Sequence, residues 1–252
     1  AVGVPQQRSQ AQSGHGIARA ATDRRRPFYA YGFRPYDLHP YHLRTKGQAH
    51  RMEAEDWDAR YRGRELVWTA QPNRFVEEEL AGLPPAGRAV DLAAGEGRNA
   101  VWLAGQGWEV DAVDFSAVAL DKAARLAAER GVPLRTVRAD LTTWAAPEAP
   151  YGLALIAYLH LPWELMTGVL RQAAQAVAGG GTLLLVGHDA ANREHGHGGP
   201  QDPRVLYTAE QVADVWRPYA DILRAEPVTR AVTDADGERR TAVDTLVRAV
   251  RR

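Results

Sequence analysis

Short apolar runs alternate with longer amphipathic stretches through the middle of this 252-residue chain. An apolar run bounded by turn residues is typical of a buried strand, and a 3.6-residue apolar period is typical of a helix. The runs predict five strands: Ala89–Leu92, Glu109–Val113, Leu134–Val137, Leu153–Leu159 and Thr182–Val186. Strands that alternate with helices form a parallel sheet with helical crossovers, so the pattern indicates an α/β protein.

Helix signals fill the gaps between these runs. Ser116 is a suitable N-cap for an alanine-rich helix that extends to about Arg130, and Gly179–Gly181 provides a stop for another. The predicted helices are Arg74–Leu80, a stretch through Trp102 and Leu103, Ala117 to about Arg130, Trp163 to about Val177, and Thr208–Trp216.

The C-terminal part of the chain has a different pattern. Ile222–Thr229 and Thr241–Val250 are two strand-like runs, and the turn sequence Asp234-Ala235-Asp236-Gly237 lies between them. Two strands joined by so short a connection are antiparallel. The parallel sheet is therefore expected to finish with a hairpin.

Charge is distributed unevenly along the chain. Residues 1–51 hold nine Lys or Arg and two Asp or Glu, whereas residues 52–252 hold 22 and 29. The first segment has no helical or alternating pattern, so we predict a basic, disordered extension over 1–51 and one domain over 52–252. Ordered sequence begins after Met52, one of two methionines, which suggests Met52 as the natural start.

Composition excludes several classes of protein. The chain has no cysteine, which excludes disulfide frameworks, thiolate metal sites and cysteine nucleophiles. No apolar run approaches the roughly 18 residues that cross a bilayer, and the N-terminus has no secretory signal. We therefore expect a cytoplasmic protein without a membrane partner.

The segment Val90 to Ala100 carries the strongest chemical signal. A strand ends near Asp91, Gly95 and Gly97 form a turn, and a helix follows. Glycines allow the backbone to approach a ligand closely, and the first turn of a helix has unpaired amide groups. Asp114 follows Gly95 by 19 residues, the spacing of an acid that binds ribose hydroxyls. The segment predicts a nucleotide site.

Two further acids distinguish between kinds of nucleotide. Asp91 would repel a pyrophosphate but attract a sulfonium or ammonium group. Asp140 and Leu141, after the third strand, provide a polar edge and an apolar surface for an adenine. Together with the terminal hairpin, these features favour a sulfonium cofactor over NAD.

This set of residues resembles class I S-adenosylmethionine-dependent methyltransferases over residues 53–252. The resemblance implies a Rossmann-like doubly wound α/β fold with a seven-stranded sheet, mainly parallel with a C-terminal antiparallel hairpin strand. It also implies S-adenosyl-L-methionine as cofactor, with Arg98 near its carboxylate. The implied cofactor-binding residues are Asp91, Ala93, Gly95, Glu96, Gly97, Arg98, Asn99, Asp114, Phe115, Ser116, Asp140, Leu141, Ala157 and Tyr158.

A narrower resemblance concerns the acceptor. The Gly95–Asn99 turn, the segment Asp114–Ser116 and the early Trp57–Tyr61 segment are similar to the small-molecule branch that contains tellurite-resistance-type and thiol methyltransferases. This resemblance implies that Trp57, Tyr61 and Trp68 belong to a lid over the cofactor, although ordinary helix packing explains these aromatics equally well.

Histidines after the fourth and fifth strands are candidates for the acceptor site, because parallel sheets bind ligands at that edge. We predict a pocket of Tyr158, His160, His188 and Arg193, with His160 or His188 removing a proton and Arg193 attracting an anionic acceptor. No metal site is predicted, because the histidines lack the tight spacing of metal ligands. The Asn/Asp-Pro-Pro-aromatic run of amino-adenine and amino-cytosine methyltransferases is absent after Ala157, so we expect no nucleic-acid partner.

The expected function is methyl transfer to a thiol, chalcogen, amine or hydroxyl of a small molecule. Three alternatives remain open: a non-catalytic S-adenosylmethionine-binding regulatory module, an NAD-dependent oxidoreductase, and a nucleic-acid or protein methyltransferase that docks through the basic segment. The identity of the acceptor and the oligomeric state do not follow from the sequence.

Overall fold

The computed structural model describes residues 54–63, 66, 69–85, 87–148 and 150–252. The predicted extension over 1–51, the suggested start at Met52 and the lid residue Trp68 all lie outside these residues. None of the helices within the described ranges has the length and apolar character needed to span a membrane.

The described residues form a seven-stranded sheet in the order β3-β2-β1-β4-β5-β7-β6. Neighbouring strands are parallel from β3 to β5, and β7 is antiparallel to both β5 and β6. The predicted mainly parallel sheet with an antiparallel hairpin is therefore confirmed. The strands are β1 Arg88–Leu92, β2 Glu109–Asp114, β3 Arg135–Arg138, β4 Tyr151–Ala157, β5 Val177–His188, β6 Ala220–Thr233 and β7 Arg239–Arg251.

Helices occupy the connections from β1 to β2, from β2 to β3 and from β4 to β5, as the alternating pattern predicts, whereas the described part of the connection from β3 to β4 contains none. Ser116 accepts a hydrogen bond from the amide of Ala119 and so caps the fourth helix, and Thr208 forms a capping box with Gln211. The α-helices are α1 Ala54–Arg62, α2 Arg74–Leu80, α3 Arg98–Gly105, α4 Ala117–Arg130, α5 Trp163–Ala176, α6 Asn192–His195 and α7 Ala209–Trp216. A short 3₁₀ turn covers Pro203–Val205.

Each face of the sheet carries its own apolar layer, because successive strand residues point to opposite sides. In β4, Ala154 and Ile156 pack with α5 and α7, whereas Leu153 and Leu155 pack with α2 and α3. The central strands are thus covered on both faces, which is characteristic of a doubly wound sheet.

Two predicted boundaries are wrong. The fourth strand begins at Tyr151 and ends at Ala157, because Tyr158 turns out of the strand with a φ of 59°. The glycines at 179–181 lie inside β5. There the segment Val177–Thr182 of β5 pairs with the shorter segment Tyr151–Leu153 of β4. A Cβ on Gly181 would lie 2.8 Å from the carbonyl oxygen of Gly152, so the glycines allow a bulge between adjacent strands.

The C-terminal hairpin extends past the carboxyl end of β5. His188, the last residue of β5, pairs with Asp244, and the paired segments Thr229–Thr233 and Arg239–Val243 continue beyond that point. This extension forms a wall at the edge of the sheet where ligands bind in doubly wound folds.

Candidate functional site

A cavity of about 570 Å³ lies at the carboxyl ends of the parallel strands. Its lining comes from the turns after β1, β2, β3 and β4, from the end of β5, from α1 and from the hairpin wall. Its size lies in the range of small-molecule sites. Predicted site residues that line it are Trp57, Tyr61, Ala93, Gly95, Glu96, Arg98, Asn99, Asp114, Phe115, Asp140, Leu141, Ala157, Tyr158, His160 and His188.

The glycine turn has an unusual backbone. Ala93, Gly95 and Gly97 all have positive φ, at 65°, 54° and 79°. Gly97 does not line the cavity but lies against α4, where an added Cβ would be 2.5 Å from Cβ of Ala123. Because Gly97 has no side chain, α4 can pack closely against the turn. The glycine at this position does not serve contact with a ligand.

Asp114 fixes the glycine turn from the neighbouring strand. Its carboxylate accepts hydrogen bonds from the backbone amides of Gly95 at 2.8 Å and Ser116 at 2.9 Å. Burial raises the pKa of Asp114, although these amide hydrogen bonds oppose the shift. A carboxylate has about four lone-pair sites, so further acceptor capacity remains for a ligand in the cavity.

Asp140 is the acid after β3. Its Oδ1 accepts hydrogen bonds from the backbone amide and the hydroxyl of Thr142, at 2.9 and 2.8 Å. Asp140 lines the cavity beside Ala139 and Leu141. A polar edge next to an apolar surface is therefore present, as the sequence predicts.

Asp91 lies deeper than the sequence suggests. It is fully buried on the α3 face of β1, it does not line the cavity, and neither carboxyl oxygen has a hydrogen-bond partner among the described residues. Burial and the nearby charge of Asp114 raise its pKa to about 7. The expected direct contact between Asp91 and a ligand is therefore not present in this geometry.

Helix α1 covers the glycine turn. The rings of Trp57 and Tyr61 stack at 5.7 Å, and a Cβ on Gly95 would lie 3.1 Å from the Tyr61 hydroxyl. Lys122 of α4 donates to the carbonyl oxygen of Tyr61 at 2.6 Å and to Glu96 Oε1 at 2.9 Å. One buried lysine therefore joins α1, α4 and the turn.

A second polar cluster borders the cavity around the buried carboxylate of Asp244. The hydroxyl of Tyr158 donates to its Oδ2 at 2.7 Å, and Nε of Arg230 donates to the same oxygen at 2.6 Å. His188 Nδ1 lies 3.4 Å from Oδ1, within ion-pair distance but without hydrogen-bond alignment. Asn73 donates to the Tyr158 hydroxyl at 3.1 Å.

His160 is unsuited to the proton-removing role proposed from the sequence. Its Nδ1 lies 3.1 Å from the carbonyl oxygen of Val205, which requires a proton on Nδ1, and its Nε2 accepts from the backbone amide of His188 at 3.3 Å. Burial and the adjacent His188 lower its pKa to about 3. His160 lines the cavity as a neutral ring with both nitrogens engaged.

Two further site residues predicted from the sequence do not reach the cavity. Arg193 lies on α6, where its guanidinium is exposed and 3.6 Å from Glu194. Ser116 caps α4 and donates to Asp58 of α1. The arginine near the histidines is instead Arg230 of β6. Asp244 and Asn73 also belong to this cluster, although the sequence did not indicate them as site residues. The only signal for Arg230 was its position in the terminal hairpin.

The cavity residues fit S-adenosylmethionine. Arg98 lines the cavity, its guanidinium makes no hydrogen bond with another described residue, and burial lowers its pKa, so a ligand carboxylate would satisfy it. Asp114 retains acceptor capacity for ribose hydroxyls, while Phe115 and Leu141 offer apolar surface to a ring. No three metal-ligating side chains come together in the part of the chain that the structure describes.

Residues 89–181, from β1 into β5, match a family described as methyltransferase domain. Comparison with curated protein sequences gave no match.

Solved structures share the fold at low sequence identity. TehB from Haemophilus influenzae is 15% identical, with a TM-score of 0.61 over 79% of this chain and 67% of that chain. The N-methyltransferase NodS from Bradyrhizobium japonicum WM9, in complex with S-adenosyl-L-homocysteine, is 16% identical with a TM-score of 0.59 over 79% and 99%. A protein studied for the conversion of a disulfide bond into a thioacetal group during echinomycin biosynthesis is 19% identical, with a TM-score of 0.62 over 79% and 91%.

The methyltransferase-domain match, the sheet order and the composition of the cavity agree. The methyltransferase-domain match over residues 89–181 and the fold of the sheet support a class I S-adenosylmethionine-dependent methyltransferase with S-adenosyl-L-methionine as its cofactor. The resemblance inferred from the sequence is therefore confirmed, whereas the acceptor requires a separate argument.

Proposed function

We propose that the protein transfers a methyl group to a nucleophilic atom of a small molecule that carries an anionic group. The observation that supports this proposal most strongly is a single cavity lined by two chemically different groups of residues, which we call its first and second ends. The glycine turn, Asp114 and Asp140 suit a nucleoside cofactor, and the Asp244 cluster lies at the other end.

We assign the cofactor to the first end of the cavity. In this assignment Arg98 pairs with the cofactor carboxylate, Asp114 accepts from the ribose hydroxyls, and Asp140 accepts from the adenine amino group. Trp57 and Tyr61 cover the cofactor from α1. The remaining cofactor contacts come from Ala93, Gly95, Glu96, Asn99, Phe115, Leu141, Ala157 and Tyr158.

The acceptor occupies the second end in this proposal. Arg230 lines the cavity and uses Nε for Asp244, so the rest of its guanidinium offers charge-assisted donors to a carboxylate or phosphate. Arg230 takes the role that the sequence analysis gave to Arg193. A thiol, chalcogen, amine or hydroxyl of the acceptor is then held near His188.

The bound cofactor supplies a methyl carbon that is already activated by a positive sulfur. The protein therefore contributes mainly alignment, and holding two reactants in a productive orientation can contribute on the order of 7 kcal/mol. The rings of Trp57, Tyr61 and Tyr158 reduce the access of water to the reacting atoms. A soft anion needs no base, whereas a hydroxyl or a protonated amine does.

Calorimetric titration with S-adenosylhomocysteine and with NAD tests the cofactor assignment. We expect saturable binding of S-adenosylhomocysteine and no binding of NAD. Asp114→Asn should weaken the binding of S-adenosylhomocysteine by about tenfold or more, because an amide accepts less strongly from ribose hydroxyls than a carboxylate does. Tight NAD binding would refute the assignment.

A screen of thiols, chalcogen oxyanions, amines and phenolic hydroxyls, each with and without a carboxylate, tests the acceptor assignment. Production of S-adenosylhomocysteine is the readout. The protein should favour the carboxylate-bearing member of a pair, and Arg230→Met should abolish that preference. Arg204→Met, at an exposed ion pair with Asp202, is the matched control. Cofactor binding without turnover of any acceptor would favour a regulatory module.

A further inference from the structure

Two neighbouring groups pack closely against the imidazole of His188. The ring of His160 stacks against it at 5.3 Å, with 27° between the planes. Gly199 also lies against the ring, where an added Cβ would be 2.8 Å from Cγ and Nδ1 of His188. Gly199 also has a φ of 77°, so a larger residue is disfavoured there by both packing and backbone.

One nitrogen of this ring faces a carboxylate oxygen that has no other partner. His188 Nδ1 and Asp244 Oδ1 are buried, lack hydrogen bonds with the described residues, and lie 3.4 Å apart. A proton on Nδ1 would satisfy both atoms after a small rotation of the ring, and such contacts are often long before substrate binds. Asp244 therefore favours the tautomer that leaves the lone pair on Nε2.

Asp244 is held ionised by its surroundings. Burial alone would raise the pKa of its carboxyl, but His188, Arg230 and Tyr158 outweigh burial and lower that pKa. A permanent negative charge beside Nδ1 also stabilises the imidazolium that forms when Nε2 takes a proton. His188 lines the cavity, so Nε2 is available to a ligand there.

We propose that His188 is the general base of this methyltransferase and that Asp244 is its positioning residue, so that the acceptor is a protic nucleophile such as a phenolic hydroxyl. This inference rests on the proposed function, because it needs the acceptor in the second end of the cavity. It extends that function by selecting acceptors that must lose a proton over those that are already anionic.

Methyl transfer to a hydroxyl acceptor balances in bonds, protons and charge. A lone pair on the acceptor oxygen forms the bond to the methyl carbon, and the carbon–sulfur bond breaks with its electron pair moving to sulfur. The acceptor proton passes to Nε2 of His188 and later leaves to solvent. One positive charge thus moves from the sulfonium to the imidazolium.

Titratable and charged groups face His188 from several neighbouring elements. Asp244 faces His188 from β7, Tyr158 and His160 from the segment after β4, Arg230 from β6 through Asp244, and His197 lines the same cavity from the loop after α6. His160 stays neutral near neutral pH, since its pKa is lowered to about 3. Burial raises the pKa of Tyr158, which likewise stays neutral.

Two probes of matched shape test the base. Both probes carry a carboxylate that Arg230 can bind, and we call them phenol and thiophenol after their reacting groups: 4-hydroxybenzoate keeps its hydroxyl proton at neutral pH, whereas 4-mercaptobenzoate is largely ionised at sulfur there. Only the phenol therefore needs a base. His188→Gln should reduce methylation of phenol by about 10²- to 10⁴-fold and change that of thiophenol by less than threefold. The fall in the phenol rate towards acid pH should disappear in the same variant. His195→Gln, an exposed histidine outside the cavity, is the control. Equal loss with both probes, or no loss, would refute the base.

The pairing of His188 with Asp244, which we call the dyad, can be tested without turnover by measuring which ring nitrogen of His188 carries the proton. In the complex with S-adenosylhomocysteine, ¹⁵N shifts of the His188 ring should show a proton on Nδ1, with the signal assigned through its absence in His188→Gln. Asp244→Asn should yield a mixture of tautomers and flatten the pH profile for phenol. A proton on Nε2 in the unsubstituted protein would refute the dyad alone, whereas failure to bind S-adenosylhomocysteine would refute the proposed function.

Discussion

Two features of its position, the backbone conformation and the packing, disfavour a side chain at Gly97. Its φ is 79°, and a Cβ would lie 2.5 Å from Cβ of Ala123. The left-handed region costs a non-glycine residue about 1–2 kcal/mol, and forcing an extra methyl into a packed contact costs about 1–3 kcal/mol. The glycine thus sets how closely the turn and α4 can approach.

We expect Gly97→Ala to lower the free energy of unfolding by about 2–4 kcal/mol, because strain and overpacking add. Urea unfolding followed by circular dichroism measures this. Gly105→Ala, in the same helix but with no neighbour within 4 Å of the added Cβ, should instead raise stability by up to about 1 kcal/mol. Equal effects of the two substitutions would contradict the packing argument.

Asp91 should make stability depend on pH. Burial and the nearby charge of Asp114 raise its pKa in the folded protein from the ordinary 3.8 to about 7, so the folded state keeps a proton that the unfolded state loses. Its contribution to folding therefore becomes less favourable as pH rises from about 4 to 7, by on the order of 4 kcal/mol at most.

We expect Asp91→Asn to remove this dependence, because the amide does not ionise. The stability difference between the variant and the unsubstituted protein should shift in favour of the variant between pH 4 and pH 7. Thermal unfolding across that range measures the difference, with the exposed Asp121→Asn as control. Parallel pH profiles for all three proteins would show that Asp91 is ionised throughout.

At the scale of elements, buried and part-buried polar contacts join α1 to the rest of the domain. Lys122 bonds to the carbonyl oxygen of Tyr61 and to Glu96, and Asp58 of α1 accepts from Ser116 at 2.5 Å. Since Glu96 belongs to the glycine turn, the position of α1 and the conformation of the turn are coupled through Lys122.

Replacing Lys122 with Met should destabilise the protein by about 3–5 kcal/mol, because Glu96 loses its buried counter-charge. Arg125→Met, on the exposed side of α4, should change stability by less than about 0.5 kcal/mol. Adding Glu96→Gln to Lys122→Met should restore part of the loss, since it removes the negative charge that Lys122 balances. No recovery in this double variant would show that Lys122 acts mainly through Tyr61.

At the scale of the whole molecule, the cavity combines segments that are far apart in the sequence. The covering helix lies near residue 60, the acids near 114 and 140, and the hairpin wall near 230. A ligand that fills such a cavity should order all these segments at once.

Hydrogen–deuterium exchange with S-adenosylhomocysteine tests that expectation. Exchange should slow in α1 and over residues 93–99, because both contact the first end of the cavity. The start of β6, Ala220–Arg224, lies away from the cavity lining and provides an internal reference. Slower exchange in this reference segment, without slower exchange in α1, would contradict the assigned site.

The sequence predicted the elements more accurately than their ends. Ser116 and Thr208 mark helix starts through local hydrogen bonds, which depend on residues a few positions away. The end of β4 was misplaced because the φ of 59° at Tyr158 places its hydroxyl next to Asp244, 86 residues further on. The glycines of β5 were assigned to a helix stop because their bulge depends on the adjacent strand.

The sequence by itself determined the α/β class, the terminal hairpin and the nucleotide turn with its acids, since periodicity, caps and strand-end residues are properties of neighbouring positions. Only the tertiary structure decided which polar groups share the acceptor end of the cavity. It brought Arg230 and Asp244 to His188, left Arg193 exposed, and engaged both nitrogens of His160. These outcomes follow from strand order and burial, and both are set by contacts between residues that are distant in the chain.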